Sequence, residues 1–376
     1  MNHGECRITS SVFGDNEVVM PQCKRQIHER QLFKDSSLDR AMDDKLFNDS
    51  FFKSIIDTKE FQRLKSVSFL GAIDYTDRKN KSTRYIHSLD VAKLALYISE
   101  VRNYSTEVTN HLVAAALLHD VGHAPLSHSM EPSFFDEFGI DHHCATTQII
   151  SKGKGASSLT ETLKAKIDLN LVIDLIEQRS NEEFSDIFNS KINVDTIDGI
   201  HKSLSFVKIH DFYDKYDLVN HVFLSNTENS IDCVKKIDNF WKAKDFVYKN
   251  VISSGIGAIA DHVSREYFND NLKKIDESYF FKTESAFLMG CKPLFKNFTK
   301  HLNSITDLSG TSVCNAQTLT VKVIEREYKP NTNVNIDNFS DVGSFIAERY
   351  EVNKREKIKI IPYATSINFE QIELLG

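Results

Sequence analysis

The feature that most constrains this chain is a helical stretch without a polar face. Residues 109–119 read TNHLVAAALLH, and Leu112–Leu118 is apolar throughout. A helix that is apolar nearly all round belongs at the centre of a core. This one closes on His119 and Asp120, and such groups are costly to bury unless they are paired or bound to a metal. The spacing therefore predicts a large helical core with polar chemistry at the end of its central helix.

The flanking segments extend that reading. From Leu46 to about Ile150 the pattern is helical. Ser88 reads as a helix cap, followed by Val91, Leu94, Ala95 and Ile98 on one face. Helical patterns resume at 160–179 and 193–205, and 235–275 is mostly helical with an apolar patch at Val251–Ala260. Residues 151–160 and 304–316 read as loops, and 1–30 carry a few β-like alternations. TLTVKVIERE and KIKIIPY alternate at period two and predict strands. The expected fold is mostly α: an N-terminal segment at 1–45, a helical core at 46–275 and a smaller α+β C-terminal region at 276–376.

Several function classes drop out. The longest apolar run is far short of the roughly 20 residues a membrane-spanning helix needs, and MNHGECRITS does not read as a signal peptide. The formal charge of −7 argues against wholesale wrapping of nucleic acid. Lys235, Lys236, Lys242, Lys244 and Lys249, with Trp241, Phe246 and Tyr248 among them, could hold phosphates or stack bases. The reading given to them here is a solvated helix face, and nucleic acid as a partner is weakly supported. The six cysteines contain no C-x-x-C pair, so reduced thiols in a cytoplasmic protein are expected.

Of 14 histidines, six fall between His111 and His143, where an even spread gives roughly one. The centre of the cluster is HDVGHAPLSHSMEPSFF, residues 119–135. Imidazole with carboxylate is a natural ligand set for a divalent transition metal. Gly122-His123-Ala124-Pro125 breaks the helix and can aim His123 and His128 into one pocket. Glu131 follows His128 by three residues, and a carboxylate beside an imidazole orients the ring and raises its basicity.

With these residues in view, the chain resembles the HD-domain metal-dependent phosphohydrolases, and within them the deoxynucleoside triphosphate triphosphohydrolase branch. The likeness runs through EFQRLKSVSFLG (60–71), TRYIHSLDVAKLAL (83–96), AALLHDVGHAPLSHSME (115–131), DHHCATTQII (141–150) and NVDTIDGI (193–200), and more weakly through FWKAKDFVYKNVI (240–252). The resemblance implies four metal ligands: His87, His119, Asp120 and Asp195, with Asp198 close to the last. It implies one divalent ion, which could be Mn, Fe, Zn, Ni or Mg, and it allows a second Mg bound with the substrate. It also places His123, His128 and His143 at the phosphates and the scissile bond. His128 with Glu131 is then the acid/base pair, and Arg84 a phosphate contact. His143 is preferred over His142 on the four-residue spacing to Thr147. A homo-oligomer is implied only by the same likeness.

The chain departs from the branch at four places. Thr196 and Gly199 stand where a phosphate-binding Lys and a sugar-facing Tyr are usual. Lys202-Ser203 replaces an Arg-Asp, and Phe69 replaces a Gln. Three functions remain open: a dNTP triphosphohydrolase, an HD phosphohydrolase with another substrate (a nucleoside monophosphate, another nucleotide or a nucleic-acid end), and a non-enzymatic nucleotide-sensing scaffold.

Overall fold

The computed structural model describes residues 37–76, 81–152, 159–210, 212–224, 230–290 and 316–364. The expectations for 1–30 and 304–315, and for 153–158 of the loop at 151–160, lie outside the described residues. The described chain is mostly helical, with one two-stranded antiparallel sheet.

Helix α1 (Arg84–Val101) and helix α2 (Thr106–Leu118) pack side by side at the centre. Every residue of α2 from His111 to Leu118 is buried, as its apolar circumference requires. Ser105 caps α2 by accepting from the Val108 amide. The cap of α1 is Thr83, which accepts from the Ile86 amide. Ser88, expected as the cap, lies buried inside α1 instead. The isolated bridge between Ser68 and Thr83 fixes where the extended chain turns into helix.

After α2 the chain passes through His119 and Asp120 into a tight loop. Leu126 and Ser127 there have left-handed backbones, with φ of 59° and 44°. Helix α3 (Glu131–Phe138) follows, starting with a proline in its first turn. Helix α4 (His142–Lys152) returns against the loop. Gly122 permits that approach, because a Cβ there would stand 2.3 Å from the His142 carbonyl oxygen. Helix α5 (Val194–Phe206) packs on α1, its start fixed by a reciprocal capping box between Asn193 and Thr196.

Helices α6 (Ser230–Val247), α7 (Gly255–Asp270) and α8 (Glu284–Gly290) complete the helical layers. Phe134, Phe268, Phe280 and Phe287 meet in one aromatic cluster, so α8 shares the core of α3 and α7. Strand β1 (Ala316–Pro330) pairs with strand β2 (Tyr350–Ala364), from Ala316 opposite Ala364 to Pro330 opposite Tyr350. Both predicted strands are present. The hairpin is fastened to α6, where Trp241 stacks on Tyr350 at 4.5 Å and Arg349 grips Asp238. No helix among the described residues is long and apolar enough to cross a membrane.

Cys233 is a free, buried thiol, whereas Cys144 is disulfide-bonded. This differs from the expectation of reduced thiols throughout, since spacing along the chain carries no information on which sulfurs meet in space.

Candidate metal centre

Four side chains from three stretches of chain converge. His87 lies in the first turn of α1, His119 and Asp120 directly follow α2, and Asp195 is in the first turn of α5. His87 Nε2 is 3.0 Å from Asp195 Oδ1, 3.3 Å from His119 Nε2 and 3.6 Å from Asp120 Oδ2. His119 Nε2 is 3.5 Å from Asp120 Oδ2 and 3.8 Å from Asp195 Oδ1.

The outer nitrogens of both rings are committed elsewhere. His87 donates Nδ1–H to Asp198 Oδ2 at 2.7 Å, and His119 donates Nδ1–H to the Ala116 carbonyl at 2.8 Å. When the rings are neutral, each therefore turns its Nε2 lone pair toward the other. Two opposed lone pairs beside two carboxylate oxygens repel unless a cation stands among them. The donor set thus fits a divalent metal ion. Burial works to lower the His87 pKa, but Asp195, Asp198 and Asp120 together lift it to about 9. The pocket attracts positive charge, and a proton and a metal ion compete for the same nitrogen. The Asp195 side chain is 48% exposed, which leaves one side of the centre open.

Asp198 is itself fully buried and accepts at Oδ1 from Lys202 at 2.9 Å and from Lys215 at 2.8 Å. Burial alone would raise its pKa, but the two ammonium groups hold it well below the carboxylate range. Lys202 and Lys93 both reach Asp90, so the charges behind His87 are paired through several links.

A second cluster lies beside the first. Glu131 Oε2 is 2.8 Å from His142 Nδ1, 3.5 Å from His128 Nδ1 and 3.8 Å from His123 Nδ1. The His123 and His142 rings stack at 4.3 Å and 8°. Burial works to raise the Glu131 pKa, yet hydrogen bonds from His128 and His142 hold it well below the carboxylate range. His123 is buried, with Nε2 3.0 Å from Asp120 Oδ1, and burial followed by the charge of Arg84 keeps its ring neutral. His128 is 65% exposed and stands at the mouth of the cluster.

The sequence reading preferred His143, and the structure brings His142 to Glu131 instead. His143 Nδ1 faces Glu177 Oε1 at 3.3 Å. The four-residue spacing could not decide between them, because His142 stands in the same relation to Thr146 as His143 does to Thr147. The deciding contact is tertiary: Thr146 accepts from the Gly122 amide at 3.0 Å, and that bond fixes the rotation of α4.

Arg84 is buried, donating to Asp120 Oδ2 at 2.8 Å and to Ser127 Oγ at 3.0 Å. Its guanidinium lies 5.0 Å from the Phe69 ring, and that ring lies 4.7 Å from the His87 ring. In this structure Arg84 thus orients a candidate metal ligand. Thr196 is used by the capping box, and a Cβ at Gly199 would stand 3.7 Å from Phe69.

Sequence reasoning did not find Glu284. This buried carboxylate of α8 accepts from the amides of Ser68 at 2.9 Å and Leu126 at 3.0 Å, and from Lys81 at 3.3 Å. The Tyr75 and Ser68 hydroxyls donate to it as well. It ties down the loop that carries His123 and His128 from more than 150 residues away, and no local motif signals such a contact.

Residues 84–201 match the family model of the HD domain. An uncharacterised protein of Mycoplasma genitalium, MG461, is 27% identical over 296 residues, covering 72% of this chain and 67% of that protein. The chain thus spans about two thirds of that relative's length. A Dictyostelium discoideum protein named deoxynucleoside triphosphate triphosphohydrolase SAMHD1 homolog is 32% identical over 96 residues, 24% of this chain and 18% of that protein. A crystal structure of a hypothetical protein from Aquifex aeolicus aligns with a TM-score of 0.60 at 18% identity, covering 84% of this chain and 92% of that one. At that identity the structure speaks for the fold. The chain carries an HD domain within a fold already seen in a bacterial protein.

Proposed function

We propose that this chain is a metal-dependent phosphohydrolase acting on nucleotides, and that its reaction is dNTP cleavage to deoxynucleoside and triphosphate. The observation that carries the reading is the convergence of His87, His119, Asp120 and Asp195 beside imidazoles tethered to Glu131. Those four side chains would hold the ion. A divalent metal there polarises a phosphoryl oxygen and acidifies a water.

The chain's own groups supply the rest. Asp198 and the Ala116 carbonyl keep the His87 and His119 lone pairs aimed inward. Arg84 and His123 hold the Asp120 carboxylate from behind. Glu131 keeps the Nδ1 side of His128 and His142 toward itself, so their Nε2 atoms face away from the carboxylate. We assign His128 the proton transfer, to the leaving 5′ oxygen or from the attacking water, with Glu131 orienting its ring and desolvation in the cluster holding its pKa below the usual imidazole value. His143 is kept as a candidate contact on the outer side of this cluster.

A second reading, hydrolysis of another nucleotide, draws on Thr196 and Gly199. The first is committed to a helix cap and the second offers no side chain to a sugar. Incubation of Mn²⁺-loaded protein with dNTPs, NTPs, monophosphates and single-stranded DNA separates the readings by product. Triphosphate release supports the first and orthophosphate or nucleotide release the second. No turnover across the panel sinks both.

A further inference from the structure

The cluster around Glu131 holds more donor atoms than its hydrogen bonds use. Glu131 accepts from His142 Nδ1, which is 2.9 Å from Oε1 and 2.8 Å from Oε2, and His128 Nδ1 stands 3.5 Å from the same Oε2. A third ring is already there. His123 is 1% exposed, and its Nδ1 lies 3.8 Å from Oε2 with no hydrogen-bond partner among the described residues. A neutral imidazole buried in this way either leaves an N–H unused or turns a lone pair toward a carboxylate, and both are unfavourable. Protonating it gives no relief, because His123 stacks on His142 at 4.3 Å and two charged rings would then lie face to face. A cation shared among the rings removes the conflict.

The geometry suits one. His123, His128, Glu131 and His142 each offer one donor atom, and these atoms lie within 4.8 Å of one another. Four-coordinate zinc, with bonds of about 2.0–2.2 Å, keeps its donors roughly 3.3–3.6 Å apart. The separations from Glu131 Oε2 of 2.8, 3.5 and 3.8 Å straddle that range. Three imidazoles with one carboxylate favour Zn²⁺ or Co²⁺, whereas Mn²⁺ stands at the weak end of the series for such donors. Mn²⁺ loading therefore fills the centre at His87, His119, Asp120 and Asp195 alone. His128 is 65% exposed, so an ion has a path in.

We propose that His123, His128, His142 and Glu131 form a second metal site, which takes Zn²⁺ and thereby stops turnover. Binding releases to solvent the protons that the Nδ1 atoms carry toward Glu131. An imidazole with a metal on one nitrogen keeps its proton on the other across the neutral range. His128 then neither takes nor returns a proton, and Glu131 no longer orients it. The site stands on its own geometry. The inhibition rests on the nucleotide-hydrolase reading and deepens it by naming how that site is regulated.

The test counts ions on the full-length protein. Equilibrium dialysis against Zn²⁺ with elemental analysis is expected to give two ions per chain in the wild type and one in each of His119→Ala, Glu131→Gln and His142→Ala. His119→Ala filled with Co²⁺ is expected to show the strong visible absorption of a four-coordinate ion, and to lose it when Glu131→Gln is added. In Mn²⁺-loaded wild type, one equivalent of Zn²⁺ is expected to lower turnover at least 10-fold with the Mn²⁺ content unchanged, and a zinc chelator to restore it. A wild type that binds a single Zn²⁺ overturns the site, as does a second ion that survives both Glu131→Gln and His142→Ala. Should one of these variants fail to fold, the other decides alone. Inhibition that follows loss of Mn²⁺, or turnover indifferent to the second ion, overturns the regulatory role. The two readings fail separately. Turnover in a protein that binds one Zn²⁺ leaves hydrolysis standing and removes the second site. Two bound ions without turnover of any nucleotide remove the hydrolase and leave the site.

Discussion

His87 and Asp198 are joined by a buried hydrogen bond of 2.7 Å from Nδ1 to Oδ2. That bond decides which nitrogen of His87 carries a proton, and so whether the ring can be a ligand at all. Asp198→Asn keeps the shape but loses the charge that Lys202 and Lys215 balance. Metal affinity is expected to fall by roughly 10- to 100-fold. Calorimetric titration of Mn²⁺ into apoprotein reads this directly, and unaltered affinity would discard the role given to Asp198.

His119→Ala and Asp120→Ala are expected to lose both bound metal and turnover. His128→Ala is expected to keep its metal and lose about 10²- to 10⁴-fold in rate. Elemental analysis beside single-turnover rates separates the two classes. Full activity in His128→Ala removes that ring from the mechanism.

His142 and His143 make a paired test. His142 Nδ1 is 2.8 Å from Glu131, whereas the His143 side chain is 53% exposed against Glu177. His142→Ala is expected to lower kcat by at least about 10²-fold, and His143→Ala to change it only a few-fold. The reverse order would return His143 to the place that the sequence spacing suggested.

Glu284 is expected to matter for stability and rate together. Glu284→Ala leaves the buried Ser68 and Leu126 amides without their acceptor, and the cost is about 1–3 kcal/mol for each donor left unsatisfied. Denaturant melts measure the loss. A variant as stable as wild type shows that the loop holds itself.

Asp74 predicts a pH dependence. Its carboxyl is buried, and among the described residues it accepts the Leu70 amide at 2.8 Å and leaves its other oxygen without a partner. Burial raises its pKa from 3.8 to about 7. Between those values the folded state holds a proton that the unfolded state has released, so this group's contribution to stability falls as pH rises from about 4 to about 7. Asp74→Asn is expected to match the wild type near pH 4 and exceed it at pH 8. Parallel unfolding curves at the two pH values check this, and a constant offset between the proteins refutes it.

The legible part of the molecule was whatever repeats along the chain. The apolar circumference of residues 112–118 announced the central helix, and strict alternation announced both strands. The HD pair following a buried helix pointed to the candidate ligands. Less legible was anything that depends on rotation about a helix axis. Ser88 looked like a cap and is interior, His143 looked like the inward ring and is not, and Lys244 looked solvated and is buried.

What the sequence determined by itself is the set of helices, the order of the candidate ligands and the chemistry they can offer, because periodicity and side-chain type are properties of single segments. Tertiary structure decided which nitrogen of His87 faces inward, which of two adjacent imidazoles meets Glu131, and that Lys244 is buried. Those outcomes turn on contacts from Asp198, from Gly122 with Thr146, and from Tyr328 of β1 beside the Lys244 ammonium. Each contact links residues far enough apart in the chain that only packing brings them within a few ångströms.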